Sequence, residues 1–383
     1  MAQPDSYGSA QGESATGGIA RAEAAAGATI FAASAGGTGD APIERAQSAA
    51  EAIRAAAQRA RAGERAGALL AADELLGALA ALREAVGARA PITVHVTGRQ
   101  GALSVGRDEI APALDVGAGV LVTWSAQDAA DAALVARRAS EDSETPFLHL
   151  HDAPPSDAPV AVPDRDLVER FLGARRATSS SGDAPAATRE DAGAVPGLGP
   201  EDVRRKRTER GFAARVPFAL ASAMRQLGEL TGRPAAPVER IETADADEIV
   251  VAIGCAFPAA RAVVESLRGQ GRRVGLVGLR SIRPFYSAEV VKALGRASAV
   301  VVIEPLDLAL APSGPVTASV KAAFADALTW APGFPGIGRI PPIISAAFAT
   351  FDGTITERDV RLSLAEIASG ERARRVIVFG SDG

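Results

Sequence analysis

Asparagine is missing from this sequence of 383 residues, and only one cysteine, three histidines and 4% aromatic residues are present. The lone cysteine, Cys255, cannot form an intrachain disulfide. It cannot hold an iron–sulfur cluster either, because cluster binding takes several thiolates. We therefore expect no iron–sulfur cluster and no cysteine zinc site on this chain.

A strong charge of one sign is also lacking. Lys and Arg number 41 and Asp and Glu 46, which leaves a net charge of −5. This balance provides no basic surface for nucleic acid or for an anionic membrane. No run of residues approaches the roughly 18 apolar residues of a membrane span, and residues 1–18 lack the basic and apolar regions of a signal peptide. The sequence thus predicts a cytoplasmic protein with no nucleic-acid partner and no membrane span.

Apolar residues make up 47% of the chain, which is enough for two sizeable cores. Residues 1–152 form the first predicted domain, with helices at 43–62, 68–87 and 125–140 and strands at 91–98, 119–124 and 146–152. Short apolar strands that alternate with helices indicate an α/β domain layered around a parallel sheet. Residues 153–216 are rich in Pro, Ala, Ser and Gly, which predicts a linker with one short helix at 165–176.

The second predicted domain, residues 217–372, shows the same alternation. Predicted strands lie at 247–254, 273–280 and 299–305, with helices between them, before them at 217–232 and after them at 356–370. This order is typical of a doubly wound α/β sheet. The last segment, 373–383, contains a predicted strand at 376–379 followed by a glycine-containing turn.

Few motifs point to a specific chemistry. The glycine-rich segment 34–40 matches neither a Walker loop nor a dinucleotide-binding motif, which favours a simple turn. His149 and His151 lie two apart on a predicted strand and therefore on one face, where they could chelate a metal ion. No third ligand lies nearby in sequence, so a packed or hydrogen-bonded pair is favoured and no metal site is predicted.

Residues 229–285 resemble the second domain of the 2-oxoacid:ferredoxin (or flavodoxin) oxidoreductases, the family of pyruvate:ferredoxin oxidoreductase. The markers are Leu-Thr-Gly-Arg at 230–233, a strand that ends in Gly254, and an Arg-x-x-Arg-Pro-Phe run at 280–285. Four segments of the first domain resemble that family more loosely: 13–36, 95–100, 115–147 and 146–152.

The resemblance implies a thiamine-binding-like domain with a layered parallel sheet, followed by a transketolase C-terminal-like doubly wound domain. Residues 373–383 would then be the first strand and loop of a third domain that continues on another polypeptide. The implied activity is oxidative decarboxylation of a pyruvate-like 2-oxoacid on thiamine diphosphate. Electrons would pass through iron–sulfur clusters to ferredoxin or flavodoxin.

Two residues match functional positions of that family. Glu13 takes the place of the glutamate beside the aminopyrimidine ring of thiamine, whose carboxyl group promotes the reactive tautomer. Arg99 matches the arginine that holds the carboxylate of the substrate, a task suited to a bidentate guanidinium group. The alternatives are an acidic residue near the terminus for Glu13 and a surface arginine at a strand end for Arg99.

Three departures from the family pattern bear on activity. The opening strand and the Pro-Ile-Thr-Pro-Ser loop are missing, and residues 151–157 replace a Phe-Asp-Gly-Phe-Arg-Thr segment. The family's Gly-Asp-Gly…Asn magnesium motif cannot be present, since the chain has no asparagine. We therefore expect thiamine diphosphate to be shared with partner subunits that carry the third domain, the magnesium site and the iron–sulfur clusters. A degenerate homologue that serves as a structural or interaction subunit, and a transketolase-like module, remain the alternatives.

Overall fold

The computed structural model describes residues 7–10, 15–33, 43–98, 110–151, 158–175, 211–304, 310–349, 355–368 and 376–380. The two candidate residues, Glu13 and Arg99, lie outside these ranges, as does the glycine-rich segment 34–40. Among the described residues, no helix has both the length and the apolar character needed to cross a bilayer.

The first domain is built around a sheet of six parallel strands. These strands are β2 (Thr29–Ala32), β3 (Ile43–Arg45), β4 (Ala66–Ala71), β5 (Thr93–Thr97), β6 (Gly119–Thr123) and β7 (Phe147–His151). Their spatial order is β6-β7-β5-β4-β2-β3, and a seventh strand, β12 (Ser281–Arg283), pairs antiparallel with β6 at the sheet edge. A separate antiparallel pair joins β1 (Tyr7–Ala10) to β8 (Val160–Pro163).

Helices cover both faces of this sheet. They are α1 (Ala15–Ala25), α2 (Ala49–Arg61), α3 (Leu75–Gly87), α4 (Ala126–Ser143) and α5 (Arg165–Leu172), with 3-10 turns at Ala72–Glu74 and Ala111–Asp115. Helices α2 and α3 share an apolar core with Val94, Val96, Leu148 and Leu150. Helices α1 and α4 pack on the opposite face. Because side chains alternate along a strand, that second face receives the polar residues of β5 and β7.

One predicted helix of this domain was wrong in part. Residues 68–71 were assigned to a helix at 68–87, but they belong to β4, and the helix α3 begins at Leu75. All six residues of β4 are buried between β2 and β5. A short apolar run that is buried on both faces has no period that distinguishes strand from helix, so pairing overrides the helix propensity of Ala and Leu. Likewise 43–45, predicted as helix, form β3, and α2 begins after the Ser48 cap.

The second sheet confirms the predicted doubly wound class. Its strands are β9 (Val238–Ile241), β10 (Glu248–Ala252), β11 (Val274–Leu279), β13 (Ala299–Glu304), β14 (Ile343–Ala349) and β15 (Val376–Gly380), in the order β15-β14-β13-β10-β11-β9. Only β9 runs antiparallel to its neighbour. The helices of this domain are α7 (Ala256–Gly269), α8 (Ser287–Leu294), α9 (Pro315–Leu328) and α10 (Glu357–Ala368).

The strand β15 is part of this second sheet. β15 pairs in parallel with β14, with Ser345 opposite Val376 and Phe348 opposite Phe379. The sequence predicted residues 373–383 as the start of a third domain, and that assignment stays a prediction; among the described residues, 376–380 pair with the second sheet. Parallel pairing with β14 satisfies one side of its backbone.

The helix at the start of the second predicted domain packs on the first. Helix α6 (Val216–Thr231) places Leu220, Ala223 and Met224 in one apolar core with Ala129 and Ala133 of α4. The contact is side chain to side chain along both helices, so α6 belongs to the helical layer of the first sheet. A boundary after α6 therefore describes the packing better than the predicted boundary at residue 217.

This packing predicts the behaviour of a cut chain. A site for a sequence-specific protease, inserted between Ser180 and Ser181 and fully cleaved, should leave both halves in one particle, because α6 buries apolar side chains against α4. Size-exclusion chromatography of the cleaved chain checks this. The control variant Met224→Asp places a carboxylate in that core, and its cleaved halves should separate at a lower urea concentration than those of the unsubstituted chain. Separation of the halves without this substitution and without urea would contradict the assignment.

Candidate functional site

Three strands of the first sheet end side by side at its carboxyl edge. β5 ends at Thr97, β6 at Thr123 and β7 at His151. Ligands of open parallel sheets bind outside the carboxyl ends of the strands. Arg99 follows Thr97 by two positions in sequence, which assigns it to the segment that leaves β5 at this edge. Glu13 precedes α1 by two positions, and the side chains of both residues lie outside the described part of the chain.

Behind this edge lies a buried ion pair. Glu23 of α1 is fully buried, and Arg137 of α4 is 1% exposed. Arg137 Nε donates to Glu23 Oε2 over 2.6 Å, and a second guanidinium nitrogen of Arg137 donates to Thr93 Oγ1 over 2.8 Å. Thr93 in turn donates to Glu23 Oε1 over 3.0 Å. The carboxylate is therefore paired and hydrogen-bonded on both oxygens, which is the condition for keeping a charge inside a protein.

This pairing fixes the ionisation of the carboxylate. Burial alone raises the pKa of Glu23, but the charge of Arg137 and a hydrogen bond from His95 outweigh it and lower the pKa to about 2. Glu23 is thus an anion at neutral pH, with Arg137 as its counter-ion.

All three histidines of the chain lie on the same face as this pair. His95 Nε2 lies 2.9 Å from Glu23 Oε1, and His95 Nδ1 lies 2.9 Å from His149 Nδ1. The two rings meet edge to face at 87°. Thr123 Oγ1 lies 3.2 Å from His149 Nε2 and 3.2 Å from His151 Nδ1. The five residues Glu23, His95, His149, Thr123 and His151 are hereafter called the buried polar chain.

His149 and His151, the outer two histidines of the buried polar chain, are neutral at neutral pH. Burial, together with the charges of His95 and His151, holds the pKa of His149 well below its usual range. Burial lowers the pKa of His151 from 6.5 to about 4. Desolvation penalises the charged imidazolium form, which explains both directions.

His149 and His151, predicted as a packed or hydrogen-bonded pair, share one hydrogen-bond partner. Both rings hydrogen-bond to Thr123, so the hydrogen-bonded arrangement is confirmed. Among the described residues, no group of three His, Cys, Asp or Glu side chains is placed to hold a metal ion.

Sequence reasoning missed His95, Glu23, Thr123 and Arg137. A signal for His95 was present, because Thr-Val-His-Val-Thr at 93–97 alternates polar and apolar residues as Phe-Leu-His-Leu-His does at 147–151. Parallel neighbours with matched alternation place their polar residues on one face.

A second cluster, centred on Arg280, surrounds Trp124, the residue that follows β6. Arg280, the first residue of the Arg-x-x-Arg-Pro-Phe run, donates to Asp128 over 2.9 Å and also to Glu239. Its guanidinium group lies 3.9 Å from the ring centre of Trp124, which stacks on Phe257 at 3.9 Å. Trp124 directly follows β6, whereas Arg280 and Phe257 belong to the second domain. Side chains of the second domain therefore pack against Trp124 at the carboxyl edge of the first sheet.

Comparison with known protein families identifies the family to which these two domains belong. The model described as "Pyruvate flavodoxin/ferredoxin oxidoreductase, thiamine diP-bdg" matches residues 21–214, about half of the chain. A second model, "Pyruvate:ferredoxin oxidoreductase core domain II", matches residues 246–334. The chain therefore belongs to the pyruvate flavodoxin/ferredoxin oxidoreductase family, and the resemblance noted in the sequence is confirmed.

Individual relatives agree with this assignment. The chain is 30% identical over 218 residues to the pyruvate-flavodoxin oxidoreductase of Rhodospirillum rubrum, covering 53% of this chain and 18% of that protein. It is 38% identical over 82 residues to the pyruvate synthase subunit PorA of Methanothermobacter thermautotrophicus, covering 21% of each. The chain thus spans only about a fifth of the length of these curated relatives.

Two solved structures share the fold. The 2-oxoglutarate:ferredoxin oxidoreductase from Magnetococcus marinus superposes with a TM-score of 0.61 at 14% identity, covering 95% of this chain and 66% of that one. A split-gene transketolase, described as an inactive tetramer, superposes with a TM-score of 0.58 at 13% identity, covering 94% of this chain and all of that one. The predicted pairing of a thiamine-binding-like domain with a transketolase-like domain is confirmed.

Proposed function

We propose that this chain is the α-type part of a 2-oxoacid:ferredoxin or flavodoxin oxidoreductase that acts on a pyruvate-like substrate. The observation that carries the proposal is the serial match of its two domains to the thiamine-binding domain and to core domain II of that family. The carboxyl edge of the first sheet, where parallel sheets bind ligands, supports this assignment.

In this proposal the chain holds one end of thiamine diphosphate. Glu13 contacts the aminopyrimidine ring and stabilises the tautomer that can accept a proton. When bound, thiamine diphosphate would supply the nucleophilic carbon and the electron sink that decarboxylation of a 2-oxoacid needs. We assign the magnesium-bound diphosphate end to a partner subunit, because the family's motif for it needs an asparagine that this sequence does not have.

Arg99 holds the substrate in this proposal. A 2-oxoacid presents a planar carboxylate beside its reactive carbonyl group, and a guanidinium group can bind both carboxylate oxygens at once. Such a clamp fixes the orientation of the carbonyl group and leaves the carboxylate free to depart as carbon dioxide once the bond breaks.

The test uses the complex assembled with its partner subunits. Arg99→Ala should lower kcat/KM for the 2-oxoacid by roughly 30- to 900-fold, which corresponds to about 2–4 kcal/mol, mainly through a higher KM. Arg83→Ala is the matched control, since Arg83 lies on α3 and donates to Val116, near the amino end of β6. Steady-state kinetics with an electron-accepting dye measure both variants.

The same assay distinguishes the alternative role. An unchanged kcat/KM in both Arg99→Ala and Glu13→Gln would show that the chain serves as a structural or interaction subunit of the complex. Loss of the complex from either variant on a sizing column would instead identify an assembly defect.

A further inference from the structure

The buried polar chain forms an unbroken path from the carboxyl edge of the first sheet to its interior. Starting at the edge, His151 contacts Thr123 over 3.2 Å, and Thr123 contacts His149 over 3.2 Å. His149 contacts His95 over 2.9 Å, and His95 contacts Glu23 over 2.9 Å. His151 is 5% exposed whereas His95 and His149 are fully buried, so the path opens at the His151 end.

The path has a defined set of proton positions when the rings are neutral. Glu23 is ionised and can only accept, so His95 carries its proton on Nε2. The short Nδ1–Nδ1 contact needs one proton between its two nitrogens, and His149 must supply it from Nδ1. His149 Nε2 is then an acceptor for the Thr123 hydroxyl, and Thr123 Oγ1 accepts from His151 Nδ1. Every donor therefore points inward, toward Glu23.

One added proton reverses this order without moving any heavy atom. A proton that binds His151 at Nε2 lets His151 release the proton on Nδ1 to Thr123. The hydroxyl then passes its proton to His149 Nε2, and His149 passes the one on Nδ1 to His95. One proton has entered. Bonds to hydrogen have formed at His151 Nε2, Thr123 Oγ1, His149 Nε2 and His95 Nδ1, and three have broken, at His151 Nδ1, Thr123 Oγ1 and His149 Nδ1. The positive charge then lies on His95, beside the carboxylate of Glu23. When the same transfers run in reverse, His151 regains its proton on Nδ1, and release of the proton on His151 Nε2 then restores the first arrangement.

Charged and polar side chains surround the inner end of the buried polar chain. From α4, Arg137 faces Glu23, and from β5, Thr93 hydrogen-bonds both of them. The remaining charged groups nearby are paired or lie farther out, as in the Arg65–Glu141 ion pair at 2.9 Å. Arg175 donates to the carbonyl of Ala60 on α2 over 3.2 Å, and the charges of Glu141 and Arg137 both act on it. Glu23 is the one carboxylate in contact with a histidine among the described residues.

We propose that the buried polar chain is a proton relay, with His151 as its outer terminus and His95 with Glu23 as its inner terminus. A group bound at the carboxyl edge that gains or loses a proton can exchange it with His151 Nε2, and the relay transiently takes up the charge. The inference goes beyond the proposed function, since it concerns only the described residues of the first domain and holds for any such ligand.

Nitrogen-15 NMR of the histidine rings in the full chain tests the relay, and the three histidines give only three ring systems to assign. The inward arrangement predicts a proton on Nε2 of His95, and at neutral pH the neutral tautomers protonated on Nδ1 for His149 and His151. Ring N–H protons of His95 and His149 should exchange with water faster than the backbone amides of Val94 and Leu148, which flank them. Exchange no faster than these amides, or a neutral His149 protonated on Nε2, would overturn the relay.

Substitution of Thr123 provides the matched pair of variants. Thr123→Val keeps the shape of the side chain but removes the hydroxyl, so exchange at His149 and His95 should slow by roughly tenfold or more, to the rate of local opening. Exchange at His151 should stay as it is. Thr123→Ser retains the hydroxyl and should preserve fast exchange at all three rings. Equal exchange in the Val and Ser variants would refute the relay; if the Val variant does not fold, the tautomers and exchange rates of the unsubstituted and Ser chains decide.

Discussion

Replacement of Arg137 by methionine should lower the free energy of unfolding by about 3–5 kcal/mol, because it leaves a buried carboxylate without its counter-ion. Glu23 is fully buried and keeps only His95 and Thr93 as partners in this variant. Methionine fills much of the arginine volume, so the loss reports on charge rather than on a cavity. Urea unfolding monitored by circular dichroism gives the free energy, provided that the slope of the transition stays constant.

Two further variants separate the effect of the buried Glu23 charge from that of losing an arginine. Arg54→Met breaks an exposed ion pair with Glu84, in which Arg54 is 52% exposed, and should cost at most about 1 kcal/mol. The double variant Arg137→Met with Glu23→Gln should recover part of the lost stability, since glutamine still accepts from His95 without carrying a charge. A cost for Arg137→Met no greater than that for Arg54→Met would show that the interior of the first domain is hydrated.

Acid should destabilise the chain in two successive ranges of pH. The folded state lowers the pKa of His151 from 6.5 to about 4, so below pH 6.5 the unfolded chain binds a proton that the folded chain does not. Above pH 6.5 the His151 ring is neutral in both states and does not lower the free energy of unfolding. As the pH falls from 6.5 to about 4, the free energy of unfolding decreases by about 3 kcal/mol. The lowered pKa of His149 acts in the same direction.

The second range belongs to Glu23. Its pKa falls from 4.5 to about 2 on folding, so its contribution is complete above pH 4.5 and is lost toward pH 2, again about 3 kcal/mol. Urea midpoints measured between pH 8 and pH 3 check both ranges. His151→Gln should make the profile less steep between pH 6.5 and 4, with the remaining slope due to His149, while keeping the fall below pH 4.5. A midpoint that stays constant between pH 7 and 5 would contradict the assignment of neutral, buried histidines.

Sequence patterns predicted most elements but not the pairing that creates the buried polar chain. The strands β5 and β7 were evident from β-branched and apolar residues, and α4 from its Ser125 cap. Residues 66–71 were taken in part for helix, because a strand buried on both faces shows no alternation. The strand β14, Ile343–Ala349, was missed, since its serine and alanines have little β propensity.

The ion pair could not be predicted at all. Glu23 and Arg137 are 114 positions apart, and each lies in a helix whose sequence gives no sign of a charged residue facing inward. Only the order of strands in the sheet brings α1 next to α4. The candidates Glu13 and Arg99 came from family resemblance, and their roles stay predictions because both lie outside the described residues.

The antiparallel strand β12 has a consequence for synthesis of the chain on the ribosome. It pairs Ser281 with Leu121 and so closes the edge of the first sheet with residues made long after the rest of that sheet. Contacts between residues so distant in sequence form slowly, and an uncovered edge strand can pair with other chains in the meantime. The first domain therefore emerges with β6 unprotected, and it reaches its final form only when β9 to β11 of the second domain have been made. Nascent chains released before Arg283 should accordingly depend on chaperones more than the full chain does.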